Sequence, residues 1–442
     1  MADDSTFHMW YLPPDFIKNN FIESLVYLRG EPPLPQIILG CLIKIFGWPF
    51  VIPVDSILLS IATITTAFLM RNIMIRYGFR NIIATFMAMM WCIYPACLGV
   101  EISAFPVAFY EALPGFIFTL SLWLCLKCFS EEPALRKNRQ WIWLFGLAGA
   151  MLSMSRSTLS WIFILPIVTS FFLPGDKKKI IAGCLAVFMQ LLWALKNYGV
   201  YGQFNFETAS DVGQNIFSTV INTGNFNEFY SYSLNKNPDN LFVSEGLPCL
   251  IVYDRPCLEK LLPEAKNNDV VLARTMGIHD DLYGESYFLH DLSKELKPLY
   301  ADFLIHNPAI ALDMFAKSYE FFCGDIYAQV SYIKGLDADW LILQVNSWMG
   351  KYKAINIFAI HSICIFAACI IPLVGIKRKS LTDLQVAFFY AFLGFCYVAV
   401  ISSLGDHGEN ARYRVDVEPL VWLLPFMAYR CLRQLSGNSG HA

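Results

Sequence analysis

The sequence is poor in charge: only 16% of its 442 residues are Asp, Glu, Lys or Arg. Soluble domains carry about 25% of such residues. No basic tract or RNA-binding motif occurs and the net charge is -3, so we expect no nucleic-acid partner. No cysteine–histidine cluster of the kind that binds zinc is visible, and we expect no metal and no cofactor. The thirteen cysteines lie mostly in apolar stretches, where cysteine behaves as a small buried hydrophobe.

The sequence is rich in apolar residues instead. The chain is 56% hydrophobic and 15% aromatic, with a mean hydropathy of +0.46. Several apolar runs approach the roughly 20 residues needed to cross a bilayer. We therefore expect an all-α polytopic membrane protein, with about 9–10 membrane helices and one external, mostly α domain. The expected spans lie near residues 52–73, 81–99, 112–129, 141–155, 158–174, 179–196, 354–376, 384–404 and 416–432.

Basic residues orient these spans. On one side of the predicted membrane the short connections are rich in Lys and Arg, and the positive-inside rule makes that side cytoplasmic. The short connections on the other side hold only Arg156, Arg412 and Arg414. The basic segments are 71–80, 127–139, 177–179, 377–379 and 430–433.

The orientation predicts a division of the chain. The N-terminus is then external, so we expect a first membrane helix upstream of Met1; the alternative is that 36–49 crosses and the orientation is inverted. The predicted parts are an external N-terminal segment with an interfacial helix (1–50), membrane helices (51–196), an external domain (197–353), C-terminal membrane helices (354–433) and a cytoplasmic tail (434–442).

Two features of the predicted external domain are specific enough to test. Apolar positions recur at helical spacing over 287–322 and are interrupted at Asn307–Pro308, which predicts two amphipathic helices. Cys249 and Cys257 are candidates for a disulfide if the compartment is oxidising.

The densest group of polar residues is the run Gly405–Arg414, GDHGENARYR, between two apolar spans. A charged side chain costs roughly 2.5–3.5 kcal/mol at the centre of a membrane helix, so this run belongs at a membrane face. The planar guanidinium of arginine matches phosphate oxygens, which makes Arg412 and Arg414 candidate anion ligands. The alternative is a solvated loop whose charges only anchor the helix ends.

The chain resembles the GT-C type membrane glycosyltransferases, close to the group of protein O-mannosyltransferases and aminoarabinose transferases. The resemblance rests on IESLVYLRGEPPLPQIILG at 22–40 and on GENARYRVDVEPL at 408–420. Weaker similarities are Glu101, MSRS at 154–157 and ALKNYGVYGQF at 194–204. These segments are spread over most of the chain and occur in the order found in the family.

The resemblance implies transfer of a sugar from a polyprenyl-phosphate donor to an acceptor on the external face, with inversion at the anomeric carbon. The family's catalytic acid in the first external loop matches Asp4, with Asp3 beside it, and Glu101 is a further candidate. Such a carboxylate would take the proton of the acceptor. The residues expected to bind the donor phosphate are Arg412, Arg414, Arg156 and Lys196, and those expected to support them are Glu31, His407, Glu409, Asn410 and Tyr413.

The expected location is the inner membrane of a bacterium, with the site on the periplasmic face. The partners are then membrane lipids, the polyprenyl-phosphate sugar and an acceptor that the sequence does not specify. Three other functions remain open: a flippase for a lipid-linked glycan, a glycan polymerase or ligase with a diphosphate-linked donor, and a non-catalytic protein of the same fold.

Overall fold

The computed structural model describes residues 18–27, 33–92, 107–130, 140–171, 180–201, 204, 212–252, 255–261, 287–322, 361–362, 364–365, 367–369, 381–405 and 413–435. Within these ranges all regular structure is helical, which confirms the expected all-α class.

The helices follow the apolar runs of the sequence closely. Among them lie two short 3₁₀ segments, Ser157–Leu159 and Arg414–Val417, and one π-helical turn, Phe242–Gly246. The α-helices are α1 (Phe21–Tyr27), α2 (Pro33–Phe46), α3 (Trp48–Arg76), α4 (Asn81–Cys92), α5 (Val107–Cys128), α6 (Gln140–Ser153), α7 (Ile164–Phe171), α8 (Ile180–Tyr201), α9 (Val212–Asn222), α10 (Phe226–Lys236), α11 (Leu247–Ile251), α12 (Arg255–Leu261), α13 (Tyr287–His306), α14 (Pro308–Phe322), α15 (Asp383–Gly405) and α16 (Glu418–Leu435).

Two helices in the described ranges, Pro53–Arg76 within α3 and Asp383–Gly405, are long and apolar enough to cross a membrane. Shorter apolar helices of 10–17 residues in those ranges include α4, α6 and the part of α5 from Ala112. The break predicted at Asn307–Pro308 is confirmed, because α13 ends at His306 and α14 begins at Pro308. Proline is favoured in the first turn of a helix, where its missing N–H leaves no bond unmade.

The predicted span 158–174 is wrong in its first part. Residues 157–163 form tight turns, and the helix begins only at Ile164. The Ile162 carbonyl accepts a hydrogen bond from the Leu165 N–H at 2.9 Å. Pro166, the residue that would continue the α-helical pattern, has no N–H to donate to Ile162. Apolar composition alone does not reveal this interruption.

The chain divides into two compact units. Unit 1 comprises Met1–Trp48, Glu207–Phe322 and Val400–Asn410. Unit 2 comprises Pro49–Phe206, Cys323–Ala399 and Ala411–Ala442.

An aromatic cluster lies in the core of unit 2. The Tyr390 ring of α15 packs edge-on against Phe145 of α6 and Phe118 of α5, with ring centroids 5.4 and 6.1 Å apart. The Tyr390 hydroxyl lies 2.5 Å from the Ser121 hydroxyl, so the polar end of this buried ring is satisfied. α6 also packs against α8, and α7 packs against α8.

Polar contacts join helix termini at one end of unit 2. Arg76 at the end of α3 donates to Ser130 at 2.7 Å and pairs with Asp383, the first residue of α15, at 3.0 Å. Arg430, near the end of α16, donates to the Tyr77 carbonyl. The C-terminal ends of α3, α5 and α16 and the N-terminal end of α15 therefore lie together, at what we call the Arg76 end.

Unit 1 has its own hydrophobic core between α9, α10, α13, α14 and the segments 242–252 and 255–261. Phe229 of α10 meets Phe303 of α13 edge-on, with centroids 5.3 Å apart. The Tyr300 hydroxyl donates to the Leu404 carbonyl at 2.7 Å. Burial raises the pKa of Tyr300, so this hydroxyl stays a donor at physiological pH.

A charged contact joins α10 to α13 on the surface of unit 1. Lys236 Nζ lies 2.5 and 2.6 Å from the two carboxylate oxygens of Asp302, and the Tyr232 hydroxyl donates to the same group at 2.9 Å. The hydrogen bond from Lys236 lowers the pKa of Asp302. Because the pair is exposed, solvent screens it and we assign it little stability.

A disulfide between Cys249 and Cys257 links α11 to α12, with their Cα atoms 6.2 Å apart. The sequence predicted this disulfide only as a candidate, and the structure contains it.

We predict that Gly78→Ala destabilises the protein by about 2 kcal/mol or more, because alanine is strained at positive φ and displaces an arginine. Gly78 has φ +79°, and an added Cβ would meet the Arg430 guanidinium, which also donates to the Gly78 carbonyl at 3.3 Å. Thermal unfolding in detergent measures the change. The control is Gly199→Ala in α8, where an added Cβ meets nothing within 4 Å. Equal stability of the two variants would contradict the prediction.

We also predict that Cys249 and Cys257 resist alkylation in the denatured protein until a reductant is added. Cys364 and Cys369 are likewise close in sequence but are free thiols, so they serve as controls that react without reduction. Peptide mapping by mass spectrometry after maleimide treatment measures each site. Alkylation of Cys249 before reduction would show that the disulfide does not form.

Candidate functional site

The site begins at a buried ion pair in unit 2. Arg156 follows the end of α6 and is 1% exposed. Its Nη1 lies 2.7 Å from Oδ1 of Asp416, and the Asp416 side chain is fully buried. Two opposite charges out of water stabilise each other only in close geometry, so each of these side chains needs the other.

Tyr413 covers the guanidinium of Arg156. The Arg156 Cζ atom lies 4.4 Å from the centre of the Tyr413 ring, and the tyrosine is 6% exposed. A cation over an aromatic face is attracted by the ring quadrupole, most strongly where water is excluded. Tyr413, expected only to support the arginines, therefore contacts Arg156 directly.

Arg414 forms a second ion pair beside the first. Its Nε and Nη2 atoms donate to the two carboxylate oxygens of Glu418, at 2.8 and 3.3 Å. The side chain of Arg414 is 16% exposed, whereas that of Glu418 is 2% exposed. Glu418 is the first residue of α16, where a negative charge also stabilises the helix dipole.

Hydrogen bonds hold the turn that carries Arg156. The hydroxyl of Tyr397, on α15, donates to the Thr158 carbonyl at 2.8 Å and accepts from the Trp161 N–H at 3.2 Å. Ser155 Oγ donates to the Leu152 carbonyl at 2.7 Å. The turn is thereby fixed both to α15 and to the end of α6.

Lys196 lies near the end of α8, which extends to Tyr201. Its Nζ lies 3.7 Å from the centre of the Trp193 ring. Gly183 of α8 lies against Ile167 of α7, whereas Ala186, further along α8, packs with Phe163 just before α7. The two helices therefore run antiparallel, and α8 ends on the side of Arg156. Lys196 thus belongs to the same end of unit 2, which we call the Arg156 end.

The structure brings together Arg156, Tyr413 and Arg414 of the predicted site and adds Asp416 and Glu418. Sequence reasoning missed both acids. Glu418 lies four residues after Arg414, the spacing of a helical ion pair, and this signal was available. Asp416 directly precedes an apolar span, where an acid needs a cationic partner. The sequence around Asp416 does not identify that partner. The other predicted residues, Asp3, Asp4, Glu31, Glu101, His407, Glu409, Asn410 and Arg412, lie outside the described residues.

The two arginines, Arg156 and Arg414, differ in how accessible they are to an anion. Arg156 is enclosed by Asp416 and Tyr413, so a ligand phosphate would have to displace a carboxylate from it. Arg414 is held by Glu418, but its side chain is partly exposed, so it is the more accessible of the two guanidinium groups. Among the described residues, no group of three or more His, Cys, Asp or Glu side chains is arranged to hold a metal ion.

No family model, curated protein or solved structure matches this chain. The likeness to GT-C enzymes therefore rests on the sequence motifs alone.

We predict that breaking the buried pair is costly. Arg156→Ala or Asp416→Ala alone should lower the free energy of unfolding by roughly 3–5 kcal/mol, because the remaining partner is left as an uncompensated buried charge. The double variant Arg156→Met/Asp416→Leu should lose less than the two single losses combined. Thermal unfolding in detergent gives the coupling.

The exposed pair Asp313–Lys317, with both side chains 49% exposed, is the control. Its removal should lower the stability far less than loss of the buried pair, because solvent screens an exposed ion pair. Similar losses at the two pairs would contradict the assignment of Arg156 and Asp416 as a buried ion pair.

Proposed function

We propose that this chain is a polytopic membrane glycosyltransferase of the GT-C type. It moves a sugar from a polyprenyl-phosphate donor to an acceptor on the external face, and its arginines bind the lipid phosphate. The acceptor is a hydroxyl or amine of a glycan, lipid or protein.

The two faces of α8 support a membrane location. Large apolar side chains are exposed on one face, while the buried face carries mainly small and polar side chains together with Trp193. Gln190 is 1% exposed and Asn197 is 7% exposed. This is the reverse of a helix on the surface of a soluble protein, and it suits a helix that faces lipid. The exposed residues include Phe188, Leu191, Leu192 and Leu195; the buried ones include Gly183, Ala186 and Ala194.

The helix α3 shows the same distribution over several turns. Ile57, Ile61, Ile64 and Phe68 are all more than half exposed and recur at spacings of three and four residues. Their common face would be an apolar surface unusual for a monomer in water. A lipid environment accounts for it.

The distribution of basic residues supports an external site. Arg76 and Arg430 at the Arg76 end belong to the basic set that the positive-inside rule assigns to the cytoplasm. Arg156, Arg414 and Lys196 belong to the opposite end, which is external in that orientation. The disulfide in unit 1 is in keeping with an oxidising external compartment, where such bonds persist.

The single observation that carries the proposal is the pairing of Arg156 with Asp416 beside Arg414 and Glu418. Segments far apart in the chain, both similar to GT-C motifs, meet there. Cations fixed in an enclosed position can stabilise the charge that develops on a departing phosphate without reorganising. Arg412 and Lys196 are proposed as further phosphate ligands.

In the proposed reaction a carboxylate, Asp4 or else Asp3 or Glu101, takes the proton from the acceptor as the acceptor attacks the anomeric carbon. The bond from that carbon to the phosphate oxygen breaks, and the lipid phosphate leaves from the opposite face with inversion. Holding both substrates at the membrane surface supplies a large part of the rate.

We predict that the purified protein retains polyprenyl monophosphate, and that Arg414→Ala weakens this binding about tenfold or more through loss of a charge-assisted contact. Native mass spectrometry of the detergent-solubilised protein with added polyprenyl monophosphate measures retention. The control is Arg71→Ala, which removes an arginine that bonds Asn81 and Thr85 away from the site. Equal retention by both variants would count against the phosphate site.

The same preparations separate the competing functions. A polymerase or ligase would prefer polyprenyl diphosphate, so a stronger response to the diphosphate would redirect the assignment. A flippase would bind the lipid-linked sugar and leave the bond between sugar and phosphate intact. Release of polyprenyl phosphate from a polyprenyl-phosphate sugar in the presence of an acceptor is the result expected of the transferase.

A further inference from the structure

Asp55 is a buried acid that the proposed site does not yet use. It lies in α3, two residues after Pro53, and is 4% exposed. In the described part of the chain, no side chain or backbone group forms a hydrogen bond or ion pair with its carboxyl group.

The other acids of unit 2 behave differently. Of the Asp and Glu side chains that the structure describes in this unit, Asp383 pairs with Arg76, Asp416 with Arg156, and Glu418 with Arg414. Asp55 alone among these lacks a cation. A structural acid of the core would be expected to hold a partner, because burying an unsatisfied polar group costs free energy.

Burial without a counter-charge disfavours the ionised carboxylate. Asp55 is therefore expected to carry its proton while the site is empty. A neutral carboxylic acid in an enclosed apolar position is a proton donor held ready for a ligand, as in enzymes whose two carboxyl groups are tuned to opposite roles.

The direction of α3 assigns Asp55 to an end of unit 2. The last residue of α3, Arg76, lies at the Arg76 end, so the beginning of α3 points to the opposite end. The same reasoning applies to α16, whose beginning carries Asp416 and Glu418. Asp55, Arg156 and Arg414 thus belong to one end of the same compact unit.

We propose that Asp55 is the general acid of the transfer reaction and donates its proton to the departing lipid phosphate. This inference rests on the proposed function. As the bond between the anomeric carbon and the phosphate oxygen breaks, that oxygen receives the bonding electron pair and a second negative charge. The Asp55 proton moves to this oxygen, leaving an Asp55 carboxylate and a phosphate monoanion.

The proton balance then closes. The acceptor's proton passes to the separate base, and that base releases it to water at the external face. Asp55 is reprotonated from the same water once the products have left. Two carboxyl groups thereby act at once, one taking a proton from the nucleophile and the other giving one to the leaving group.

Dicyclohexylcarbodiimide tests the resting state of Asp55 without a variant, because it adds to protonated carboxyl groups in apolar surroundings. We expect an acylurea adduct on the peptide that contains Asp55 in the detergent-purified wild-type protein, and none at the ion-paired Asp383. Added polyprenyl monophosphate should slow the modification. Absence of the adduct, or a rate that bound polyprenyl monophosphate leaves unchanged, would overturn the inference.

Variants test the catalytic role. Asp55→Asn should lower kcat for release of polyprenyl phosphate by roughly a hundredfold or more, the usual contribution of a general acid, with KM for the donor changed much less. Asp55→Glu should recover part of kcat, and thermal unfolding checks that each variant folds. Unchanged kcat in Asp55→Asn, or equal losses in Asn and Glu variants of wild-type stability, would refute the role.

The outcomes separate the two proposals. If the wild-type protein fails to retain polyprenyl monophosphate, the proposed function falls and this inference falls with it. If the lipid is retained but does not protect Asp55 from modification, and if transfer does not depend on Asp55, only the assignment of Asp55 is wrong.

Discussion

The buried pair of Arg156 and Asp416 is the interaction on which the candidate site depends. Neither side chain reaches solvent, and Tyr413 covers the guanidinium, so the pair forms only if the turn after α6 and the segment before α16 meet. Replacing both charges by apolar groups would cost less than removing one. The pair therefore fixes the position of the Arg156 guanidinium against the segment before α16.

The two ends of unit 2 use arginine in different ways. At the Arg76 end, Arg76 and Arg430 bond to Asp383 and to a backbone carbonyl at a helix terminus. There the basic residues that orient the predicted membrane helices also close the bundle. At the Arg156 end, by contrast, each arginine pairs with a buried acid: Arg156 with Asp416, and Arg414 with Glu418. Arginine therefore joins helix termini at one end and pairs with buried acids at the other.

Much of the fold was predictable from the sequence because apolar length and helix-breaking residues are local signals. The break between α13 and α14 at Asn307–Pro308 is one such case. The first part of the predicted span 158–174 is wrong, because Pro166 has no N–H to donate to the Ile162 carbonyl. The partner of Arg156 was not predictable, since Asp416 is 260 residues away and no local pattern joins them. Asp55 was overlooked because a single acid at the edge of an apolar run looks like a boundary residue.

Tyr397 gives the site one further property. Its hydroxyl accepts from one backbone group of the Arg156 turn and donates to another, so the turn follows α15 as a rigid attachment. The same helix presents Tyr390 to the aromatic core about two turns earlier. A shift of α15 along its axis would therefore move the turn that carries Arg156 and change the distance between its guanidinium and Asp416. Substitutions in the core facing α15 would then disturb the pair of Arg156 and Asp416 without touching any charged residue.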